Sequence, residues 1–239
     1  MKGVILQVVF FLVVFSAQTQ ELEGVVSENS EQVGDTKYRE DQFYAGFSFN
    51  LLLNRPVGVK QSGFSGGVHL GFIRDMPINK QRNIAIGLGL GYSGNTFNQN
   101  LGITKLKGFQ ETVFEAKESG SFTENRFTTH LIEVPLEFRW RTSRPTELKF
   151  WRIYTGMRLG YLYRFRSTLK TDEGTFVKTE FNELDRIRLG ATFTFGWNTF
   201  NFHFYYSLNS FFNTNARLVP TGEAVGVNTL KIGLLFYIL

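Results

Sequence analysis

Glu133 and Glu137 lie on a segment that alternates polar with apolar residues, and Arg152, Arg158, Arg186 and Arg188 hold polar positions on later segments of the same kind. Carboxylates and guanidiniums gathered on one face can line an ion pathway, or they can pair with one another as a polar filling. Buried charges persist only when paired and hydrogen-bonded, so filling is the expected role. If the turn between the first two segments centres on Arg144-Pro145, Glu137 falls opposite Arg152 and Glu133 lies diagonal to Arg158. Arg186 and Arg188 come from the next segment. These six residues are expected to form one network, structural and not catalytic.

Other candidate chemistry is sparse. The chain has no cysteine, which excludes a disulfide framework, a zinc-thiolate site and a thiol nucleophile. Gly89-Leu90-Gly91-Tyr92-Ser93-Gly94 has the G-x-G-x-x-G spacing of a dinucleotide loop. That mechanism needs a helix N-terminus to hold the pyrophosphate, whereas these glycines sit inside an alternating segment. They are expected to make room for bulky side chains. His69 and His203 fall on the polar face and His130 on the apolar one, without metal-ligand spacing. A lipid-modifying enzyme would need a serine or acid within reach of a histidine; His203 has Thr194 and Tyr205 for neighbours. No catalytic residue, cofactor site or metal site is expected. The net charge is +5, but the basic residues occupy the polar face or loops where acids interleave. They form no single stripe, so nucleic acid is not an expected partner. Exposed basic residues near the outer rim are placed to contact anionic lipid headgroups.

The segments that must position these residues come after two leading stretches. Lys2 precedes an apolar run from Val4 to Phe15, followed by Ser16 and Ala17. This is the pattern of a secretory signal peptide over residues 1–17. Residues 18–42 carry seven acids (Glu21, Glu23, Glu28, Glu31, Asp35, Glu40, Asp41) against Lys37 and Arg39. Such a composition reads as an acidic, disordered periplasmic segment.

From residue 43 to 239 the apolar residues recur with period two, which argues for half-buried strands. Eight strands are expected: 43–53, 64–75, 82–93, 127–141, 148–166, 185–197, 200–212 and 229–239. Asn198-Thr199 forms a two-residue hairpin loop that sets Trp197 opposite Phe200, Phe195 opposite Phe202 and Thr194 opposite His203. Short connections (76–81, 142–147, 198–199) alternate with long ones (54–63, 94–126, 167–184, 213–228). The fold class is therefore all-β: an eight-stranded antiparallel up-and-down transmembrane β-barrel.

The faces differ in what they can meet. Over the fourth to eighth strands one carries no charge and holds aromatic residues throughout. The other holds glycines together with Glu133, Glu137, Arg139, Arg141, Arg152, Arg158, Arg164, Arg166, Arg186, Arg188 and Lys231. An eight-stranded barrel has an interior only wide enough to be filled by side chains, and a full aromatic face would overfill it. The charged face is expected inside. The 26 phenylalanines among 38 aromatic residues (26 Phe, 9 Tyr, 3 Trp) then read as a coat facing lipid. A mean hydropathy of −0.13 follows, because each apolar outward residue alternates with a polar or small inward one.

Leu131-Ile-Glu-Val-Pro-Leu-Glu-Phe-Arg-Trp-Arg141 and Phe150-Trp-Arg-Ile-Tyr-Thr-Gly156 resemble the PorT family of outer-membrane β-barrel proteins. The Phe195–His203 hairpin and the Leu230–Leu239 ending are similar to the same group. The resemblance implies an eight-stranded barrel in the outer membrane of a Gram-negative cell, delivered by a cleaved signal peptide. Some members are linked to type IX protein secretion and gliding. The implied role is a non-enzymatic scaffold or accessory factor for secretion or surface interactions. Residues 18–42 would lie in the periplasm and the long loops, above all 94–126, outside the cell. The expected partners are outer-membrane lipid, the barrel-insertion machinery and a secretion-system or surface protein. A small channel and an outer-membrane lipid-modifying enzyme are the alternatives.

Overall fold

The structure is a computed structural model that describes residues 40–105, 112–142 and 151–238. The expected signal peptide lies outside the described residues, as does the acidic segment apart from Glu40, Asp41 and Gln42. The strands, in chain order, are β1 Glu40–Leu53, β2 Gly66–Pro77, β3 Ile84–Asn98, β4 Leu101–Lys105, β5 Thr112–Ala116, β6 Glu124–Arg141, β7 Trp151–Thr171, β8 Gly174–Lys178, β9 Ile187–Trp197, β10 Phe200–Ser207, β11 Leu218–Val219 and β12 Asn228–Ile238.

Eight of these pair side by side in the order β6-β3-β2-β1-β12-β10-β9-β7, and β6 pairs with β7 to close the ring. All of these pairings are antiparallel. The protein is thus an all-β, eight-stranded antiparallel barrel. The two-residue hairpin joins β9 to β10 in the register read from the sequence, with Phe200 opposite Trp197 and His203 opposite Thr194. Four further strands lie in stretches expected to be loops. β8 extends the upper end of β7, while β4, β5 and β11 form a separate three-stranded sheet.

Alternation decides the two surfaces. Phe43, Leu70, Leu90, Leu136, Leu159, Phe193 and Phe202 are exposed on the outer wall, while Ser48, His69, Ser93, Glu133, Thr194 and His203 are buried inside. The outer row of β6 shows how far the apolar belt extends. Ile132, Val134, Leu136 and Phe138 are exposed hydrophobics; beyond them, toward the long loops, come His130, Thr128, Arg126 and Glu124. β7 has 21 residues. At about 3.3 Å per residue it runs for roughly 70 Å, so even strongly tilted it outreaches a hydrocarbon layer of about 30 Å. The surplus projects at the long-loop end.

Two expectations about β7 are corrected. The ladder sets Arg141 opposite Arg152 and Glu137 opposite Gly156, so the connection centres between residues 146 and 147 and Glu137 does not face Arg152. The observed register puts Gly156 opposite Glu137 and Gly160 opposite Glu133. A glycine opposite each carboxylate leaves space for an arginine to reach in from the diagonal. The second correction is a β-bulge. His130 pairs with Arg164, but Leu131 pairs with Leu162, which leaves Tyr163 as the extra residue. Tyr163 and Arg164 both face outward. Below the bulge the even residues Arg152, Tyr154, Arg158 and Leu162 are buried; above it the odd residues Phe165, Ser167 and Leu169 are. Arg164 and Arg166, expected in the lumen, therefore sit on the outer wall. A bulge resets a two-residue period without altering the composition that reveals it.

The phenylalanine coat is only part of the account. Phe97, Phe114, Phe127, Phe165, Phe211 and Phe212 are buried in one cluster with Leu52, Leu101, Ile103, Leu131, Leu162 and Leu218, and Phe181 packs against it. Phe97 and Phe127 stand opposite each other, continuing the inward rows of β3 and β6 that hold Ser93 and Glu133 further down. Above the polar lumen the barrel thus has an apolar cap, completed by β4, β5, β11 and the 211–227 connection. The two phenylalanine populations predict different defects. Phe193→Arg, on the belt, should cost about 2–4 kcal/mol because a charge enters hydrocarbon. Phe97→Ala should cost roughly 3–5 kcal/mol through a cavity in the cap. Denaturant unfolding in lipid vesicles measures both. A bilayer-thickness dependence is expected for the first only.

Candidate functional site

The inward rows bring polar side chains together because neighbouring strands supply glycine where a long side chain must cross. Tyr44 on β1 extends over Gly71 of β2 and Gly91 of β3; a Cβ on Gly91 would collide with its hydroxyl. Gly190 likewise leaves room for the Tyr205 ring. Gly91, the middle glycine of the G-x-G-x-x-G run, thus makes space for a tyrosine.

The core of the site lies on β6 and β7. Arg158 Nη1 is 3.2 Å from Glu133 Oε2, and its Nη2 is 4.0 Å from Glu137 Oε1. The other Glu133 oxygen accepts the Ser93 hydroxyl at 2.8 Å. Glu137 also accepts Arg139 Nε at 3.0 Å. Arg139 then reaches across β3 to Asp75 and to Gln42 Oε1, the latter at 2.9 Å. Its path is open because Gly87 of β3 lies beneath the guanidinium; a Cβ there would meet Nε at 2.9 Å. Arg141 Nη1 completes the pair of arginines on Asp75 at 3.3 Å. All of these charged side chains are buried.

Of the six residues expected in the network, Glu133, Glu137 and Arg158 are brought together. Arg152 lies lower, its guanidinium 5.5 Å from the centre of the Tyr237 ring. Arg188 belongs to the upper lumen, where it donates to the Ser210 carbonyl, to Ser207 Oγ at 2.6 Å and to the Asn209 carbonyl at 2.7 Å. Arg186 is not in the lumen. It precedes β9, is partly exposed, and lies 3.7 Å from Glu180 at the rim. Its place on the polar face extrapolated the β9 alternation past the strand's first residue, Ile187.

Reading the sequence missed Asp75, Gln42 and the tyrosines. Arg139 and Arg141 were visible on the polar face, but their partner is two strands away in the ring and 64 residues earlier for Arg139. No local spacing links them. The buried cations Arg139, Arg141, Arg152, Arg158, Arg188 and Lys231 outnumber the buried carboxylates Asp75, Glu133 and Glu137 among the described residues. Aromatic faces supply part of the difference. Arg139 lies 4.3 Å from the Tyr154 ring centre, Arg158 5.4 Å from Tyr44, Lys231 4.7 Å from Tyr205 and Arg188 4.2 Å from Phe211.

Two histidines complete the lumen. His203 Nδ1 is 2.7 Å from Thr194 Oγ1 and His69 Nε2 is 2.9 Å from Ser48 Oγ. Ser48 donates its proton to Asn50 Oδ1 at 2.8 Å, so it accepts from His69. That polarity is the reverse of a serine activated by a histidine base. His130 lies outside, held to the Tyr92 hydroxyl at 2.7 Å.

A family model described as outer membrane protein beta-barrel domain matches residues 17–213. Among solved structures, Ail, the attachment invasion locus protein of Yersinia pestis, solved in complex with the heparin analogue sucrose octasulfate, has 13% identity and a TM-score of 0.33, covering 83% of this chain and 99% of its own. A mutant porin from Rh. blastica has 7% identity and a TM-score of 0.15, covering 84% of this chain and 100% of its own. No curated protein matches the sequence.

Arg158 sits between two buried carboxylates, Glu133 and Glu137, so its loss strands charge in the lumen. Arg158→Met should destabilise the barrel by about 3–5 kcal/mol. Adding Glu133→Gln should recover part of that loss, since one stranded charge is removed. A double-mutant cycle by urea unfolding in vesicles measures the coupling; additive losses would contradict the pairing.

Proposed function

We propose that this chain, which belongs to the outer membrane protein beta-barrel domain family, is a non-conducting, non-enzymatic scaffold of the outer membrane. Its long-loop end faces outside the cell, and residues 18–42 reach into the periplasm. Its role is that of a PorT-like accessory factor in protein secretion, type IX included, or in surface interactions. Its partners are outer-membrane lipid, the barrel-insertion machinery that seats it, and a secretion or surface protein engaged by the loops or by residues 18–42.

The observation that carries this reading is the double filling of the lumen. Asp75, Glu133, Glu137 and their arginines occupy its lower and middle parts, and the cap of Phe97, Phe127, Phe165 and Phe211 lies above them. A channel needs a continuous wet path, and an apolar cap over paired charges opposes one. An enzyme needs a reachable nucleophile. Among the described residues Ser48 is bonded to a histidine, but it is buried and donates its proton elsewhere. What remains available is a platform of loops built partly from regular strands, and binding tends to reside on loops carried by a rigid scaffold.

The orientation draws on the asymmetry of the connections, because outer-membrane barrels have short periplasmic turns and longer extracellular loops. The loop test must spare the cap. Removing all of 94–126 would take Phe97, Leu101, Ile103 and Phe114 with it, so only exposed tips are suitable.

Planar-bilayer recordings of the purified protein should stay silent, and Glu137→Gln should lower stability without raising conductance. Replacing the exposed tips 118–121 and 220–223 by Gly-Ser linkers should abolish partner capture or cargo export while leaving the heat-shift of the folded barrel on gels intact. Normal export and adhesion both in a knockout and in the tip variants would sink the scaffold reading. Altered lipid acylation in the knockout would favour an enzyme instead.

A further inference from the structure

The β-bulge in β7 has a consequence on the outer wall. It turns Arg164 and Arg166 outward, where they join the outward row of β6. Arg126 stands opposite Thr168, Thr128 opposite Arg166, His130 opposite Arg164 and Glu124 opposite Lys170. These eight residues, with Thr175 of β8, line a groove of about 550 Å³. It holds Arg126, Arg164, Arg166 and Lys170 against a single acid, Glu124, which lies 2.8 Å from Arg126 Nε. Arg164, Arg166 and Lys170 form no ion pair among the described residues.

The level of the groove matters as much as its charge. Its foot is His130, bonded to Tyr92 and flanked by Tyr163 with ring centres 6.1 Å apart. Directly below lie Ile132, Tyr161 and Val134, all exposed. Tyrosines at the edge of an apolar belt mark the height of lipid headgroups. The arginines therefore begin where hydrocarbon ends, on the side of the long loops, and face the lipid instead of the lumen. Guanidiniums are suited to phosphate through paired N–H donors, and the three threonines add hydroxyls of the kind that bind sugar.

We infer that this groove binds the phosphorylated sugar headgroup of an outer-leaflet glycolipid, with Arg164, Arg166 and Lys170 as its phosphate ligands. The bulge is then a device that builds a lipid site from residues the alternation would otherwise bury. The inference rests on the proposed orientation, with the long loops outside.

The full chain, folded in detergent, is titrated with diphosphoryl lipid A and with its dephosphorylated form. Wild type should prefer the diphosphoryl form. The triple variant Arg164→Gln, Arg166→Gln, Lys170→Gln should bind it roughly a hundredfold more weakly, since each basic residue near anionic headgroups contributes about fivefold. Lys60→Gln, a loop control, should leave affinity unchanged, and heat-shifted migration on gels confirms that each variant is folded. Equal binding of the two lipid forms, or an unaffected triple variant, overturns the site. Displacement by inorganic phosphate at equal concentration also overturns it, by assigning the groove to a free anion. Orientation is read separately. The natural chain has no cysteine, so Glu173→Cys beside the groove should react with an impermeant maleimide on intact cells. An unreactive thiol overturns the outer-leaflet occupant through the orientation, even where the detergent titration shows phosphate-dependent binding.

Discussion

A strand edge inside hydrocarbon would expose N–H and C=O groups with neither water nor partners, so a sheet there must close on itself. The β6–β7 ladder performs that closure. Closure fixes an inside and an outside, and everything else about the chain follows from which side each residue falls on. The apolar rows can face lipid only because the backbone beneath them is fully engaged. The charged rows can leave solvent only because the same wall surrounds them. The bulge between His130 and Leu131 is tolerated because it lies at the edge of the apolar belt, where the headgroup region can still hydrate a disturbed ladder.

The lumen shows how a narrow barrel accommodates charge. Among the described residues its carboxylates are fewer than its cations, and two of the three serve two arginines each: Asp75 takes Arg139 and Arg141, and Glu137 takes Arg139 and Arg158, while Glu133 takes Arg158. Arg188 turns to backbone carbonyls, and tyrosine faces meet Arg139, Arg158 and Lys231. Arg139 crosses β3 over Gly87, Tyr44 extends over Gly71 and Gly91, and Tyr205 lies over Gly190. At these positions glycine clears the path of a side chain that crosses a neighbouring strand.

Phenylalanine solves two different problems with one side chain. On the outer wall it meets hydrocarbon. At the long-loop end it fills the interior with an apolar cap, where the strands have risen beyond the hydrocarbon layer. The cap also gives the loops something to fold against, which is why β4, β5 and β11 form a sheet of their own.

Much of this was legible in the residues. The eight strands, the β9–β10 register and the inward position of Glu133, Glu137 and Arg158 follow from a strict two-residue period, because side chains on a strand can point only to one face or the other. The failures have equally physical causes. Arg164 and Arg166 left the lumen because one extra residue reverses the faces. The Glu137–Arg152 pairing failed because a connection's ends do not specify its centre. Arg186 fell outside because the strand began one residue after it. The partnership of Asp75 with Arg139 and the phenylalanine cap join residues from distant strands or connections, and the basic groove on the outer wall depends on the bulge. Sequence by itself determined which residues share a face of each strand. Only the tertiary structure decided which faces meet across the lumen, because ring closure and register set those distances, and no local spacing encodes them.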